Sequence, residues 1–143
     1  MSDEPSATSK RLAGIRVLVI EDDSDSLEAL STLLELNAAE VRGAGSAEAG
    51  RRMLARFRPH VLVSDLSMPG EDGFTFLASV RALLREDGGA TPAIAFSALP
   101  PTDAHDRALK AGFQAFLRKP HDVLGLIPMV LQLLSDSGAI SFR

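Results

Sequence analysis

The hydrophobic positions of this chain fall into two alternating spacings. Unbroken, β-branched apolar runs stand at Arg16–Ile20 (RVLVI), at Val61–Ser64 (VLVS) and at residues 93–96 (AIAF), with shorter ones at 40–43 (EVRG) and 115–117 (AFL). Runs with no polar alternate suit strands covered on both faces, as in a parallel sheet flanked by helices. Between them, apolar residues recur at helical spacing. Leu27, Leu30, Leu33 and Leu34 mark a first helix, with Asn37 as a left-handed stop. Ser46 caps a second that carries Ala49, Met53, Leu54 and Phe57 and is closed by Pro59. A third carries Phe74, Leu77, Val80 and Leu84 and ends at Gly88 and Gly89. Thr102 caps a fourth, with Ala108 and Leu109 inside and Gly112 as its stop; a fifth spans 122–134. Five strands alternating with five helices predict an α/β fold, a doubly wound five-stranded parallel sheet.

Composition sets the outer limits. A chain of 143 residues is expected to hold one domain, at 15–135, with a polar, flexible tail at 1–14 and a short one at 136–143. At 45% apolar and 24% charged residues it matches ordinary globular proteins, and disordered or fibrous classes are excluded. No cysteine is present, which removes disulfide scaffolds, thiolate metal sites and cysteine nucleophiles. The net charge of −4 and the lack of a dense basic run predict no nucleic-acid partner. A polar start and the absence of a long apolar window predict no leader, no membrane span and a cytoplasmic setting.

In doubly wound sheets, ligands bind beyond the carboxyl ends of the strands. The residues just past each apolar run therefore matter most. Glu21, Asp22, Asp23 and Asp25 come after the first run, Asp65 after the third, Ser97 after the fourth, and Lys119 with Pro120 after the fifth. Carboxylates this close repel one another unless some are protonated or a cation sits among them. Hard oxygen donors without His or Cys point to Mg²⁺, with Mn²⁺ possible. Adding a lysine and a hydroxyl gives a set suited to a phosphoryl group, whose oxygens the cations neutralise while one carboxylate acts as nucleophile.

Four stretches, VLVIEDDSDSLEAL, VLVSDLSMPGEDGF, AIAFSA and AGFQAFLRKP, together resemble the receiver domain of two-component response regulators, here of single-domain type. The DLSMPGEDG string at 65–73 and the Lys119-Pro120 pair carry most of that resemblance. It implies a flavodoxin-like strand order 2-1-3-4-5, and phosphorelay signalling from a histidine kinase or histidine phosphotransfer protein to a downstream protein target. It places the phosphoacceptor at Asp65, a metal ligand at Asp22, a ligand acting through water at Glu21, and a further backbone carbonyl ligand at Ser67. Ser97 takes the place of the hydroxyl that binds the phosphoryl oxygen, Lys119 that of the pairing lysine, and Phe116 that of the aromatic switch. Glu21 stands where Asp is commoner and Ser97 where Thr is commoner; Ala98 is small, as access requires. Such a protein is not a turnover enzyme, since it catalyses only its own aspartyl phosphorylation and dephosphorylation.

Plainer readings apply to several residues. Asp23 and Asp25 suit a helix cap and favourable first-turn charge. His60, His105 and His121 are scattered without metal-ligand spacing and are expected at the surface. An all-helical histidine phosphotransfer protein does not fit the strands, and a haloacid-type phosphatase would need Asp-x-Asp after the first one. Two alternatives remain: a terminal receiver of a hybrid histidine kinase, whose lead-in the LAGIRVLVIEDD stretch resembles, and a binding module that works without phosphorylation. The fifth helix is unusually apolar, with nine of the thirteen residues at 122–134 being Val, Leu, Ile or Met. One buried face needs only three or four per two turns. An exposed contact surface is expected there, serving a homodimer or partner through the fourth helix, fifth strand and fifth helix, unless the tail at 135–143 covers it. Pro128 is expected to bend that helix at its middle. With one domain filling the chain, output is expected by protein contact or by passing the phosphoryl group on.

Overall fold

The computed structural model describes residues 10–139. Strands β1 (Arg16–Ile20), β2 (Glu40–Ala44), β3 (Val61–Ser64), β4 (Ala93–Ser97) and β5 (Ala115–Arg118) alternate with helices α1 (Ser24–Leu36), α2 (Ala47–Phe57), α3 (Gly73–Arg81), α4 (Pro101–Ala111) and α5 (Leu126–Asp136). The strands form one parallel sheet in the order β2-β1-β3-β4-β5. This is the flavodoxin-like order. Within β1, Val17 and Val19 join a core with Leu30 and Leu34 of α1 and Leu126, Val130 and Leu134 of α5. Leu18 and Ile20 join a second core with Leu54 of α2, Phe76, Leu77 and Val80 of α3, and Ala104 and Ala108 of α4. Alternate side chains thus enter opposite cores, which is why the strand needs no polar position.

Several boundaries differ from the sequence expectation, each for a local reason. The left-handed residue after α1 is Ala38, at φ 72°, while Asn37 stays at φ −98°. Asn37 is buried and structural: its Nδ2 donates to Leu33 O at 3.1 Å, and its backbone carbonyl accepts the Leu12 N–H at 2.7 Å. Leu12 is fully buried in the core under α1 and α5. Leu12, within the expected tail at 1–14, thus packs with the domain; residues 1–9 of that tail lie outside the described residues. Helix α3 stops at Arg81, and Arg85–Asp87 forms a separate 3₁₀ turn, leaving Leu84 exposed rather than on a helical core face. Helix α4 starts at Pro101, so Thr102 lies inside its first turn and caps nothing.

The apolar fifth helix resolves differently from expectation. A 3₁₀ turn at Val123–Gly125 precedes α5, which puts Pro128 in the first turn. There a missing N–H removes no helical bond, so the expected mid-helix break does not arise. Leu126, Ile127, Val130, Leu133 and Leu134 are buried, and Val123, Met129 and Leu131 are half-buried against the same core. Only Leu124, on the turn before the helix, is strongly exposed, at 88%. Most of the apolar surplus expected to be exposed is thus covered, leaving Leu124 on the turn and the partly exposed Val123, Met129 and Leu131. Asp136 of the expected C-terminal tail is still helical, and residues 140–143 lie outside the described residues. Among the described residues no helix is long and apolar enough to cross a membrane.

His60 is half-buried and employed. Its Nδ1 accepts the Arg16 N–H at 2.9 Å while its own backbone N–H donates to Arg16 O at 2.8 Å, pinning the starts of β1 and β3 together. Burial, and then the nearby Arg16 charge, push its pKa below the ordinary 6.5. A neutral ring is therefore favoured by folding. The stability it supports is complete above the unfolded value and is lost as pH falls through the lower folded one. Thermal unfolding followed by far-UV circular dichroism should show the melting temperature dropping between about pH 7.5 and about pH 5. His60→Gln should melt lower at the upper pH and lose that part of the slope; an unchanged slope would assign the acid loss to other groups.

Candidate functional site

The register of the sheet builds the site. Ile20 pairs with Ser64, Ser64 with Ala95, and Ser97 with Arg118, so the residues just past β1, β3 and β5 emerge on one edge. Glu21 and Asp22, Asp65, and Lys119 all stand there. Asp65 keeps only 10% of its side chain exposed. Its Oδ1 accepts the amides of Leu66 at 2.7 Å and Ser67 at 3.3 Å, and its Oδ2 accepts Lys119 Nζ at 3.1 Å. Lys119 Nζ also donates to Glu21 Oε1, whose partner oxygen Oε2 accepts the Asp23 N–H at 3.2 Å. Glu21 is almost wholly buried, whereas Asp22 is exposed at the mouth.

Burial pushes the Glu21 carboxyl up, and the Lys119 and Asp23 hydrogen bonds pull it back only in part. Burial alone would lower Lys119, but its bond to Glu21 and the charges of Asp65 and Glu21 outweigh that and hold it above its ordinary range. The ammonium is therefore firmly charged at neutral pH. One oxygen each of Glu21, Asp22 and Asp65 lie within 4.8 Å of one another. Donors of a Mg²⁺ shell at 2.0–2.1 Å stand about 2.9 Å apart when cis and about 4.2 Å when trans, so these oxygens would draw inward to share one ion, or one would reach it through water. Three carboxylates against one ammonium also leave an excess of negative charge in the cleft. The donor set fits a hard divalent cation.

The other expected residues lie around this cluster. Ser67 is exposed, with its N–H on Asp65, and its carbonyl takes no backbone hydrogen bond among the described residues. Ser97 is fully buried at the end of β4, and its Oγ accepts the Leu99 N–H at 3.1 Å; no hydrogen bond joins its hydroxyl to Asp65 or Lys119. Phe116 lies half-buried on β5, outside the carboxylate cluster, with its ring edge-on to His105 of α4 at 5.8 Å and 73°. Asp23 caps α1 through the Ser26 N–H at 2.9 Å, and Asp25 sits in its first turn, as the plainer reading expects.

Two contributions to this edge were not anticipated. A Cβ on Gly73 would lie 2.1 Å from the carbonyl oxygen of Asp65 and 2.8 Å from Leu66 Cα. The start of α3 therefore packs directly on the Asp65 backbone, and the Gly73 N–H donates to Leu66 O at 2.9 Å. The second is Arg51 of α2, whose guanidinium grips Glu71 in the loop after Asp65 through two 2.7 Å bonds. These partners are twenty residues apart, and no local pattern marks them.

A family profile for the response regulator receiver domain matches residues 17–130. The chain is 40% identical over 121 residues to an uncharacterised 14.6 kDa protein of Leptolyngbya boryana, covering 85% of this chain and 91% of that one. It is 34% identical over 124 residues to the transcriptional regulatory protein PrrA of Mycobacterium leprae, covering 87% of this chain but 52% of PrrA, so it spans about half of that regulator. Among solved structures, the receiver domain of the Francisella response regulator 1452 superposes with a TM-score of 0.77 at 28% identity, covering 87% of this chain and 99% of that one.

The close approach at Gly73 gives a direct test. Gly73→Ala should cost about 1–3 kcal/mol of stability through overpacking against Asp65 and Leu66. The Leu66 and Ser67 amide resonances should shift with it. A variant with unchanged stability and amide shifts would mean the contact yields freely.

Proposed function

The chain belongs to the response regulator receiver domain family, and on that premise we propose that it is a phosphoacceptor, with Asp65 taking a phosphoryl group from a phosphohistidine on a histidine kinase or phosphotransfer protein. The observation that carries this reading is the setting of Asp65: one oxygen held by two backbone amides, the other by the Lys119 ammonium, beside two further acids. Asp22, Asp65 and the Ser67 carbonyl would hold Mg²⁺ directly, and Glu21 through water. When bound, that ion supplies charge neutralisation on the phosphoryl oxygens.

The residues of the chain do the rest. A carboxylate oxygen of Asp65 attacks phosphorus, forming an O–P bond as the P–N bond of the phosphohistidine breaks; the electron pair leaves with the imidazole, which takes a proton from solvent. Backbone amides at Oδ1 orient the nucleophile, and Lys119 turns its charge toward the transferred group. The Ser97 hydroxyl would leave Leu99 to donate to a phosphoryl oxygen, and Phe116 would rotate inward from His105. That shifts a two-state equilibrium at the α4, β5 and α5 face, where a downstream protein or a second copy would dock. The chemistry is limited to the protein's own aspartate, so it is a signalling acceptor and not an enzyme.

Incubation with acetyl phosphate and Mg²⁺ should add one phosphoryl group, read by intact mass, and chelation should prevent it. Asp65→Asn should not label, and Lys119→Ala should label far more slowly, by about 10²-fold or more. Equal labelling of wild type and Asp65→Asn would overturn the assignment.

A further inference from the structure

The loop from Leu66 to Asp72 carries Ser67 and depends on few contacts. Its first residues are tied to Asp65 through the Leu66 and Ser67 amides, and its last is the N-cap of α3. Between them Pro69 and Gly70 are exposed, and Gly70 sits at φ +80°. Among the described residues, positions 69–71 make one set of hydrogen bonds. Arg51 supplies it: Nη1 and Nη2 each donate to one Glu71 oxygen at 2.7 Å, and Nη1 also reaches Ser79 Oγ on α3 at 3.3 Å. Ser79 in turn donates to Phe76 O at 2.6 Å, so its lone pair is correctly placed to accept from the guanidinium. The Arg51 bond pulls the Glu71 carboxyl below its ordinary range against a smaller opposing effect of burial, so both partners are charged at neutral pH.

A pair as exposed as this one adds little to global stability. A two-bond fork does something else: it fixes the orientation as well as the position of the group it grips. Here it joins α2, the loop and α3 at the point where a glycine-containing segment would otherwise sample many conformations. We propose that Arg51 is a positioning residue, which clamps Glu71 so that the 66–72 loop presents the Ser67 carbonyl alongside Asp22 and Asp65 and thereby sets the affinity for Mg²⁺. The identity of the ion rests on the phosphoacceptor reading. The role falls to a side chain that touches neither the ion nor the phosphoryl group.

The test is a Mg²⁺ titration of the full chain, followed by the ¹⁵N–¹H resonances of Leu66 and Ser67. Arg51→Met and Glu71→Gln should each weaken Mg²⁺ binding by about 3- to 10-fold, as outer-shell substitutions do. Arg51→Lys keeps the charge but not the fork and should fall between. The charge exchange Arg51→Glu with Glu71→Arg should recover most of the loss. Labelling by acetyl phosphate in Arg51→Met should be slow at low Mg²⁺ and return to the wild-type rate at saturation. Wild-type Mg²⁺ affinity in Arg51→Met, with only the melting temperature lowered, would overturn the proposal and leave the pair a structural tie. A wild-type chain that shows no saturable response to Mg²⁺ would instead overturn the reading beneath it.

Discussion

A half-buried ammonium between two carboxylates is the constraint on which the site depends. Glu21 is nearly sealed from water, and Asp65 is little more accessible. Two such acids at adjacent strand ends would repel each other strongly in a poorly solvated cleft. Lys119 bridges them, reaching Asp65 Oδ2 and Glu21 Oε1 at once from the far side of the sheet. The bridge spans the edge from β1 to β5, and it can form only because the strands run parallel with their ends aligned. Sheet topology and site electrostatics are thus one arrangement.

The strands were legible because each one divides two apolar cores and so cannot carry a polar alternate. Helix interiors were legible for the complementary reason, a single buried stripe. The ends were harder, since they are decided by contacts that the local pattern does not contain. Asn37 looks like a left-handed stop, but burial and its bonds to Leu33 and Leu12 keep its φ negative and pass the turn to Ala38. Thr102 looks like a cap, but Pro100 and Pro101 begin the helix ahead of it. The surplus of apolar residues before Leu134 looks like exposed surface. Starting α5 at Leu126 and folding the preceding residues into a 3₁₀ turn buries most of it.

The carboxylates, Ser97 and Lys119 were legible because a parallel sheet turns strand ends into one place. Their hydrogen bonds were not. Nothing in the sequence near Arg51 points to Glu71, because the pairing depends on how α2 lies across the 66–72 loop. Gly73 stood in plain view within DLSMPGEDG, but the reason for it is the 2.1 Å that a Cβ would leave to the Asp65 carbonyl. His60, read as a surface residue, is an acceptor for Arg16 through the proximity of β1 and β3. In each case the missing information was long-range geometry.

The Ser97 hydroxyl stands at a crossroads of a different kind. Its oxygen accepts the Leu99 amide, just ahead of a helix whose first turn has no side-chain cap and opens on two prolines. That oxygen therefore serves the entrance to α4, while the residue itself stands at the strand end that borders the cleft. Any ligand that draws this hydroxyl across the strand edge takes it from Leu99, and the segment leading into α4 must find another acceptor or move. A single short side chain thus ties the end of a buried strand to the segment that leads into the next helix.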